Sequence, residues 1–174
     1  ELTIDQYQQF HDQLQALIQA DQKTSFHEWL LYRMLTHQLH PHFSQTKRPA
    51  IQYREITEVT AALEIWFSYL AQLNSSNQQA EEAFAVYTAP LAMPCPLKLQ
   101  AEQPSQEALG TALDQLQLSS PAIRFRFMQA LINAIEQDGQ ICEQEAGIFQ
   151  MLSYCLDCPL PPPQIWESHK KTAP

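Results

Sequence analysis

The sequence predicts an all-α fold of about seven helices. Apolar residues recur at spacings of three and four through most of the chain, and helix-start motifs precede several of these stretches. No stretch alternates between apolar and polar residues in the way that predicts a strand. The 174 residues are enough to bury a hydrophobic core, so we expect a helical bundle.

Two capping boxes predict where the first two helices begin. In such a box, two side chains three residues apart each bond the other residue's backbone N–H, which satisfies donors that the first turn leaves open. The boxes are Thr3 with Gln6 and Ser25 with Glu28. Pro41 is expected to end the second helix, because proline lacks the N–H that continues the ladder.

The middle of the chain predicts two helices and then an irregular segment. Apolar spacing indicates a third helix from about Val59 to Leu73 and a shorter fourth helix from about Gln78 to Tyr87. Residues 89–104 contain four prolines and show neither the apolar period of a helix nor that of a strand, so we expect them to lie over the surface or in a groove. We expect residues 1–174 to form a single all-α domain; if it divides, the parts are 1–88 and 105–163, joined by this Pro-rich segment.

Three start signals predict the remaining helices. They are Ser105 as an N-cap, Ser120 before Pro121 at a first helical position, and an Asp138-Gly139 turn before a last helix from about Cys142 to Leu156. Pro159 and the prolines after it are expected to stop that last helix.

Residues 10–39 and 127–156 match each other at eight positions, where random pairing would give roughly two. The pairs are Phe10/Phe127, Leu14/Leu131, Ile18/Ile135, Asp21/Asp138, Glu28/Glu145, Met34/Met151, Leu35/Leu152 and Leu39/Leu156. We interpret them as a duplicated helix-turn-helix hairpin, with two generic amphipathic hairpins as the alternative. The two acidic pairs favour duplication, because no hydrophobic period requires them.

Composition excludes several classes of function. Three glycines cannot form a Gly-rich phosphate loop, which excludes the common nucleotide-binding motifs. A net charge of −9 opposes binding to nucleic acid. The uncharged stretch 83–97 is shorter than the ~20 residues of a membrane span and contains prolines.

Five residues are weak candidates for metal ligands. His37, His40 and His42 lie close together, and the first two share a helical face, although histidines at a helix C-terminus are commonly there because the dipole favours them. Cys155 and Cys158 have C-x-x-C spacing, but at the end of a helix, where the dipole disfavours a thiolate. We therefore interpret the thiols as packing groups and expect no cofactor in this chain.

Asp138, Gly139 and Glu145 match the second half of a calcium-binding loop. The first half fails, because the first ligand position falls on Ala134, which has no side-chain oxygen. We therefore interpret the three residues as a structural turn, with Glu145 in the first turn of the next helix.

The string DGQICEQEAGIFQMLSYCLDCPLPP resembles the ending of bacterial membrane-bound zinc metallopeptidases of the HtpX and CAAX-prenyl-protease type. The matching residues are Asp138, Gly139, Ile141, Glu145, Leu152, Leu156, Cys158, Pro159, Leu160, Pro161 and Pro162. The SFHEWLLYRML run resembles a stretch earlier in the same region of that family. The paired D-G-x-I…E hairpins are also similar to the helical TerB (tellurite-resistance) fold.

The resemblance implies a soluble TerB-like C-terminal domain with an interaction or regulatory role, on the cytosolic face of the bacterial inner membrane. It implies that zinc and proteolysis belong to a parent peptidase and that the partner is that peptidase domain or another protein. No catalytic residue carries over, because His27-Glu28 is followed by Leu31 where the family's H-E-x-x-H motif needs histidine. The chain begins at Glu1, as we expect of a piece of a longer protein.

Two alternatives stay open: a free-standing TerB-like stress-response or metal-binding module, and a metal- or redox-active helical protein that uses Cys155, Cys158 and the histidine cluster. For the leading hypothesis we expect the interaction surface beside the Pro-rich segment 89–104. The basic loop from His40 to Arg54, which includes Lys47 and Arg48, is the second candidate.

Overall fold

A computed structural model describes residues 3–20, 25–43, 49–73, 77–138 and 143–159. In these ranges the chain forms seven α-helices, two 3₁₀ turns and one isolated parallel bridge between Tyr53 and Ser119. The helices are α1 Ile4–Ala20, α2 Phe26–Phe43, α3 Thr60–Gln72, α4 Asn77–Thr88, α5 Gln106–Gln117, α6 Pro121–Asp138 and α7 Glu143–Cys155; the 3₁₀ turns are Ile56–Val59 and Ala89–Leu91. The predicted all-α fold is confirmed.

Helix α3 lies at the centre of the core. Its Trp66 and Phe67 are fully buried, and the Phe67 ring packs against Phe127 of α6 with the ring centroids 5.2 Å apart. Helix α3 packs against α4 and α5, α4 packs against α6, and α2 packs along α7. Helices on both sides of the Pro-rich segment therefore contribute to one hydrophobic core.

The predicted capping boxes are formed as expected. Gln6 N–H donates to Thr3 Oγ1 and Thr3 N–H donates to Gln6 Oε1 at the start of α1. Ser25 and Glu28 make the same exchange before α2, and the Ser25 N–H holds the pKa of Glu28 below its ordinary value. Ser105 Oγ accepts from the Ala108 N–H at the start of α5.

Part of the Pro-rich segment runs along α3. Its backbone is held by three polar side chains of one α3 face, at a spacing of four residues: Glu64, Ser68 and Gln72. Lys98 N–H donates to Glu64 and Gln100 N–H donates to buried Ser68. These bonds satisfy backbone groups that have no strand partner.

One predicted helix end is wrong, and another agrees with the structure to within one residue. Helix α2 continues through Pro41 to Phe43, because a proline removes only one N–H of the ladder and the turn in progress can be completed. Helix α7 ends before Pro159 is reached, because Asp157 adopts a left-handed conformation with φ 53°. Cys158 N–H then bonds the Ser153 carbonyl at 2.9 Å, as in a Schellman motif.

The two halves of the proposed duplication have different environments. Phe127 is fully buried in α6, whereas its counterpart Phe10 in α1 is 41% exposed. Asp138 is the last residue of α6 and Glu145 lies in the first turn of α7. Gly139 and the first turn at Asp21 lie outside the described residues.

Within the described ranges, no helix combines the length and apolar character that crossing a membrane requires.

Candidate functional site

A cavity of about 620 Å³ opens where α2, α5 and the end of α7 meet. That volume is in the range of about 300–1,000 Å³ that is typical of ligand pockets. The polar lining comes from Arg33, Thr36, His37, Asp114, Gln117, Arg124 and Asp157, together with His40 at the rim. The apolar lining comes from Tyr32, Pro41, Pro49, Ile51 and Leu118.

His37 of α2 is hydrogen-bonded to Gln117 at the end of α5 and to Asp157 just after α7. The amide nitrogen of Gln117 donates to the Cys155 carbonyl at 3.1 Å and to His37 Nδ1 at 3.3 Å. Because the carbonyl can only accept, this contact fixes which end of the Gln117 amide is the nitrogen. His37 Nδ1 is then an acceptor, and its Nε2–H donates to Asp157 Oδ1 at 3.2 Å.

Asp157 reaches the cavity because of its unusual backbone. It is one of two non-glycine residues with positive φ in the described chain, and its position in the Schellman motif turns the chain back after α7. Arg124 Nη1 donates to Asp157 Oδ2 at 3.2 Å and to the Leu156 carbonyl at 2.9 Å. The Asp157 carboxylate therefore links His37 of α2 to Arg124 of α6 at the end of α7.

A second ion pair joins α2 to α5. Arg33 Nη2 donates to Asp114 Oδ1 beside the cavity. The Arg33 Nε and Nη1 groups donate to no other group in the described part of the chain, and the same holds for the Thr36 hydroxyl one turn further on. These donors remain open on the cavity lining.

An extended segment forms one wall of the cavity. Gln52 N–H and Tyr53 N–H both donate to the Leu118 carbonyl, and Ser120 N–H donates to the Tyr53 carbonyl at 2.8 Å. These bonds fasten the segment to the connection between α5 and α6. Ile51, just before them, lies on the cavity lining with 44% of its surface exposed.

Helix α1 packs against the outside of the same region. Tyr7 of α1 stacks on Phe43 with ring centroids 4.5 Å apart, and its hydroxyl lies 3.5 Å from His40 Nδ1. The Tyr32 hydroxyl lies 3.3 Å from His11 Nε2 of α1. Two lining residues of the cavity, Tyr32 and His40, therefore also hold α1 in place.

The structure separates the predicted metal candidates. His37 and His40 both line the cavity, whereas His42 is exposed outside it. Burial raises the pKa of Cys155 to about 12 and also raises that of Cys158, so neither thiol is a ready thiolate ligand at neutral pH. Among the residues that the structure describes, no group of three His, Cys, Asp or Glu side chains is arranged to hold a metal ion.

The two predicted interaction surfaces differ in what occupies them. On the α3 face beside the Pro-rich segment, the backbone of that segment at Lys98 and Gln100 is hydrogen-bonded to α3 side chains. The cavity lies beside the second candidate, the loop after His40, of which Lys47 and Arg48 lie outside the described residues and Arg54 is exposed.

Sequence reasoning missed six polar lining residues: Arg33, Thr36, Asp114, Gln117, Arg124 and Asp157. Five of them are polar positions on helices, where a side chain facing a cavity has the same spacing as one facing water. Asp157 offered one usable signal, since an aspartate directly after a helix that ends in Cys155-Leu156 can adopt the left-handed conformation.

No protein-family model, curated protein or solved structure matches the chain.

Proposed function

We propose that the chain is a non-catalytic protein-interaction domain and that the cavity is its binding surface. The observation that carries this proposal is the hydrogen-bonded network that links Gln117, His37, Asp157 and Arg124. Such a network favours recognition by a fixed polar floor over proton transfer, because the acceptor nitrogen of His37, Nδ1, is occupied by an amide N–H of Gln117, which is neither a nucleophile nor an acid. The exposed Ile51 on the lining suits an apolar contact with a partner.

We further propose that the domain belongs to a bacterial membrane-bound zinc metalloendopeptidase of the HtpX or CAAX-prenyl-protease type. The support is the resemblance of the closing segment, including Cys158 and Pro159, to the ending of that family. In this proposal zinc and catalysis belong to the peptidase domain, and the present chain regulates or positions it from the cytosolic face of the inner membrane.

An activity assay tests the non-catalytic part of the proposal. The purified chain is incubated with casein at neutral pH, with added zinc and separately with EDTA. We expect no cleavage in either condition. Zinc-dependent cleavage that EDTA abolishes would show that the chain is itself a peptidase.

An association assay tests the cavity as the binding surface. The chain is mixed with the rest of its reading frame, expressed separately, and the complex is measured by calorimetry. We expect Ile51→Asp to weaken association at least about tenfold, because the charge would have to be desolvated at the contact. The control is Phe125→Asp, which places the same charge at an apolar residue 61% exposed and outside the cavity.

Equal loss in both variants, or no association of the wild-type chain, would overturn the cavity as the binding surface. A reading frame without membrane spans and an H-E-x-x-H motif would overturn the proposed parent.

A further inference from the structure

The cavity lining balances its charges in a chain that is acidic as a whole. The described residues include five Lys and Arg side chains, and two of these, Arg33 and Arg124, line the cavity. Only two of the sixteen described Asp and Glu residues line it. The lining is thus far less negative than the rest of the molecule, whose net charge is −9.

Both carboxylates of the lining are already engaged by cations. Asp157 accepts from His37 and Arg124, and Asp114 accepts from Arg33. A guanidinium has five N–H donors, and Arg33 uses only its Nη2 within the described chain. The open donors of Arg33 and the Thr36 hydroxyl, three residues apart on α2, can therefore meet a further carboxylate.

The opposite side of the polar floor offers an acceptor. Both N–H groups of the Gln117 amide are used by His37 and Cys155, which leaves its Oε1 to accept from a ligand. A peptide backbone N–H is such a donor. Apolar contacts are available from Ile51 and Pro49, which lie on the cavity lining in the extended wall segment.

We infer that the cavity binds an extended peptide segment in which an acidic side chain lies next to an apolar one. The acid is held by Arg33 and Thr36, a backbone N–H by Gln117, and the apolar side chain by Ile51. This inference rests on the proposed function, because it names the chemistry of the segment that the interaction surface recognises. The remaining N–H donors of Arg33, beside the Thr36 hydroxyl, are what commit it to an acidic segment.

Fluorescence anisotropy with matched peptides tests the inference. The probes are fluorescein-labelled Leu-Glu-Leu-Glu-amide and Leu-Gln-Leu-Gln-amide, which differ only in their two carboxylates. We expect the acidic probe to bind at least about tenfold more tightly at low salt, with the difference shrinking as salt screens the contact. Free glutarate, added as a competitor, shows whether a small dicarboxylate alone accounts for binding.

Two charge-removing variants locate the contact. Arg33→Gln should lower the affinity for the acidic probe at least about tenfold and leave the affinity for the amide probe unchanged, because the loss is confined to the carboxylate contact. Lys98→Gln removes the same charge from an exposed residue outside the cavity and should change neither affinity by more than about twofold. Thr36→Val, which keeps the shape and removes the hydroxyl, gives a second test if Arg33→Gln does not fold.

Equal affinity for the two probes, no binding of either, or an acidic preference that survives both Arg33→Gln and Thr36→Val would overturn the inference. Displacement of the acidic probe by glutarate at the same concentration as unlabelled peptide would assign the cavity to small carboxylates instead. If Ile51→Asp weakens association with the parent while the probes bind equally, only the ligand class fails and the proposed function stands.

Discussion

At the scale of single residues, Asp157 combines an unfavourable backbone with a useful side chain. An L-residue in the left-handed region costs roughly 1–2 kcal/mol, and aspartate adopts it more readily than most. Glycine is the usual residue at this place in a Schellman motif. The carboxylate that glycine lacks is the group that joins His37 to Arg124, and this contact offsets the backbone cost.

Substitutions at Asp157 separate the two effects. Asp157→Ala should lower the free energy of unfolding by about 2 kcal/mol, since hydrogen bonds to charged groups contribute roughly 1.5–3 kcal/mol and alanine keeps the strain. Asp157→Gly should lose about 1 kcal/mol less, because glycine removes the strain. Urea unfolding of the three proteins measures both differences. An alanine variant as stable as the glycine variant would contradict the assignment of strain at this residue.

Two helical glycines, Gly110 of α5 and Gly147 of α7, both face α2, and this placement gives a second prediction. A Cβ at Gly110 would lie 3.4 Å from Trp29 Cζ2, an ordinary contact, whereas one at Gly147 would lie 3.1 Å from His27 Nε2. Gly110→Ala should therefore raise the free energy of unfolding by about 0.5–1 kcal/mol, the gain expected from helix propensity. Gly147→Ala should gain less, because the His27 ring must move. Urea unfolding that ranks Gly147→Ala above Gly110→Ala would show that the close approach does not matter.

At the scale of helices, the start signals were more reliable than the stop signals. The boxes at Thr3 and Ser25 and the cap at Ser105 are formed, because a cap depends on a few neighbouring side chains. Helix α2 continues two residues beyond Pro41, and α7 ends within one residue of its predicted end but at the turn of Asp157 and not at Pro159, because a proline permits a helix to end but a tertiary contact decides where. At α7 that contact is the network around Asp157.

The cap of α5 can be tested directly. Ser105→Ala removes the acceptor for the Ala108 N–H and should cost about 1 kcal/mol of unfolding free energy. Ser105→Asp keeps an acceptor and adds negative charge at the positive end of the helix dipole, so its stability should stay within about 0.5 kcal/mol of wild type. Thermal unfolding followed by circular dichroism measures both. Equal losses in the two variants would mean that the Ser105 side chain does not cap the helix.

At the scale of the whole molecule, the fold class was predictable and the cavity was not. The helical period of residues such as Trp66 and Leu70 follows from the sequence, since it reflects burial on one face. The cavity depends on how α2, α5 and α7 meet, which brings together residues as distant as Arg33 and Asp114. The apolar period of a helix carries no information on distances between helices. His37 and His40 were named from the sequence only because histidine is a common metal ligand.

The buried titratable groups of the core make the fold sensitive to alkaline pH. Burial raises the pKa of Tyr69 from 10.0 to about 12 and that of Cys155 from 9.0 to about 12. Their protonated forms favour the folded state, so this stability is fully present below pH 9. It is lost as pH rises towards 12, since the unfolded chain releases these protons first.

We therefore expect the free energy of unfolding to fall between pH 9 and 12, with each group contributing a slope of up to about 1.4 kcal/mol per pH unit. Tyr69→Phe removes one of these groups but keeps the ring, whose centroid lies 4.5 Å from that of Phe26. The unfolding free energy of this variant should therefore fall less steeply between pH 10 and 12 than that of wild type. Tyr154→Phe, at a tyrosine 41% exposed, is the matched control and should keep the wild-type slope. Urea unfolding at a series of pH values measures the three slopes. If the unfolding free energies of wild type and Tyr69→Phe fall in parallel with pH, burial does not raise the pKa of Tyr69.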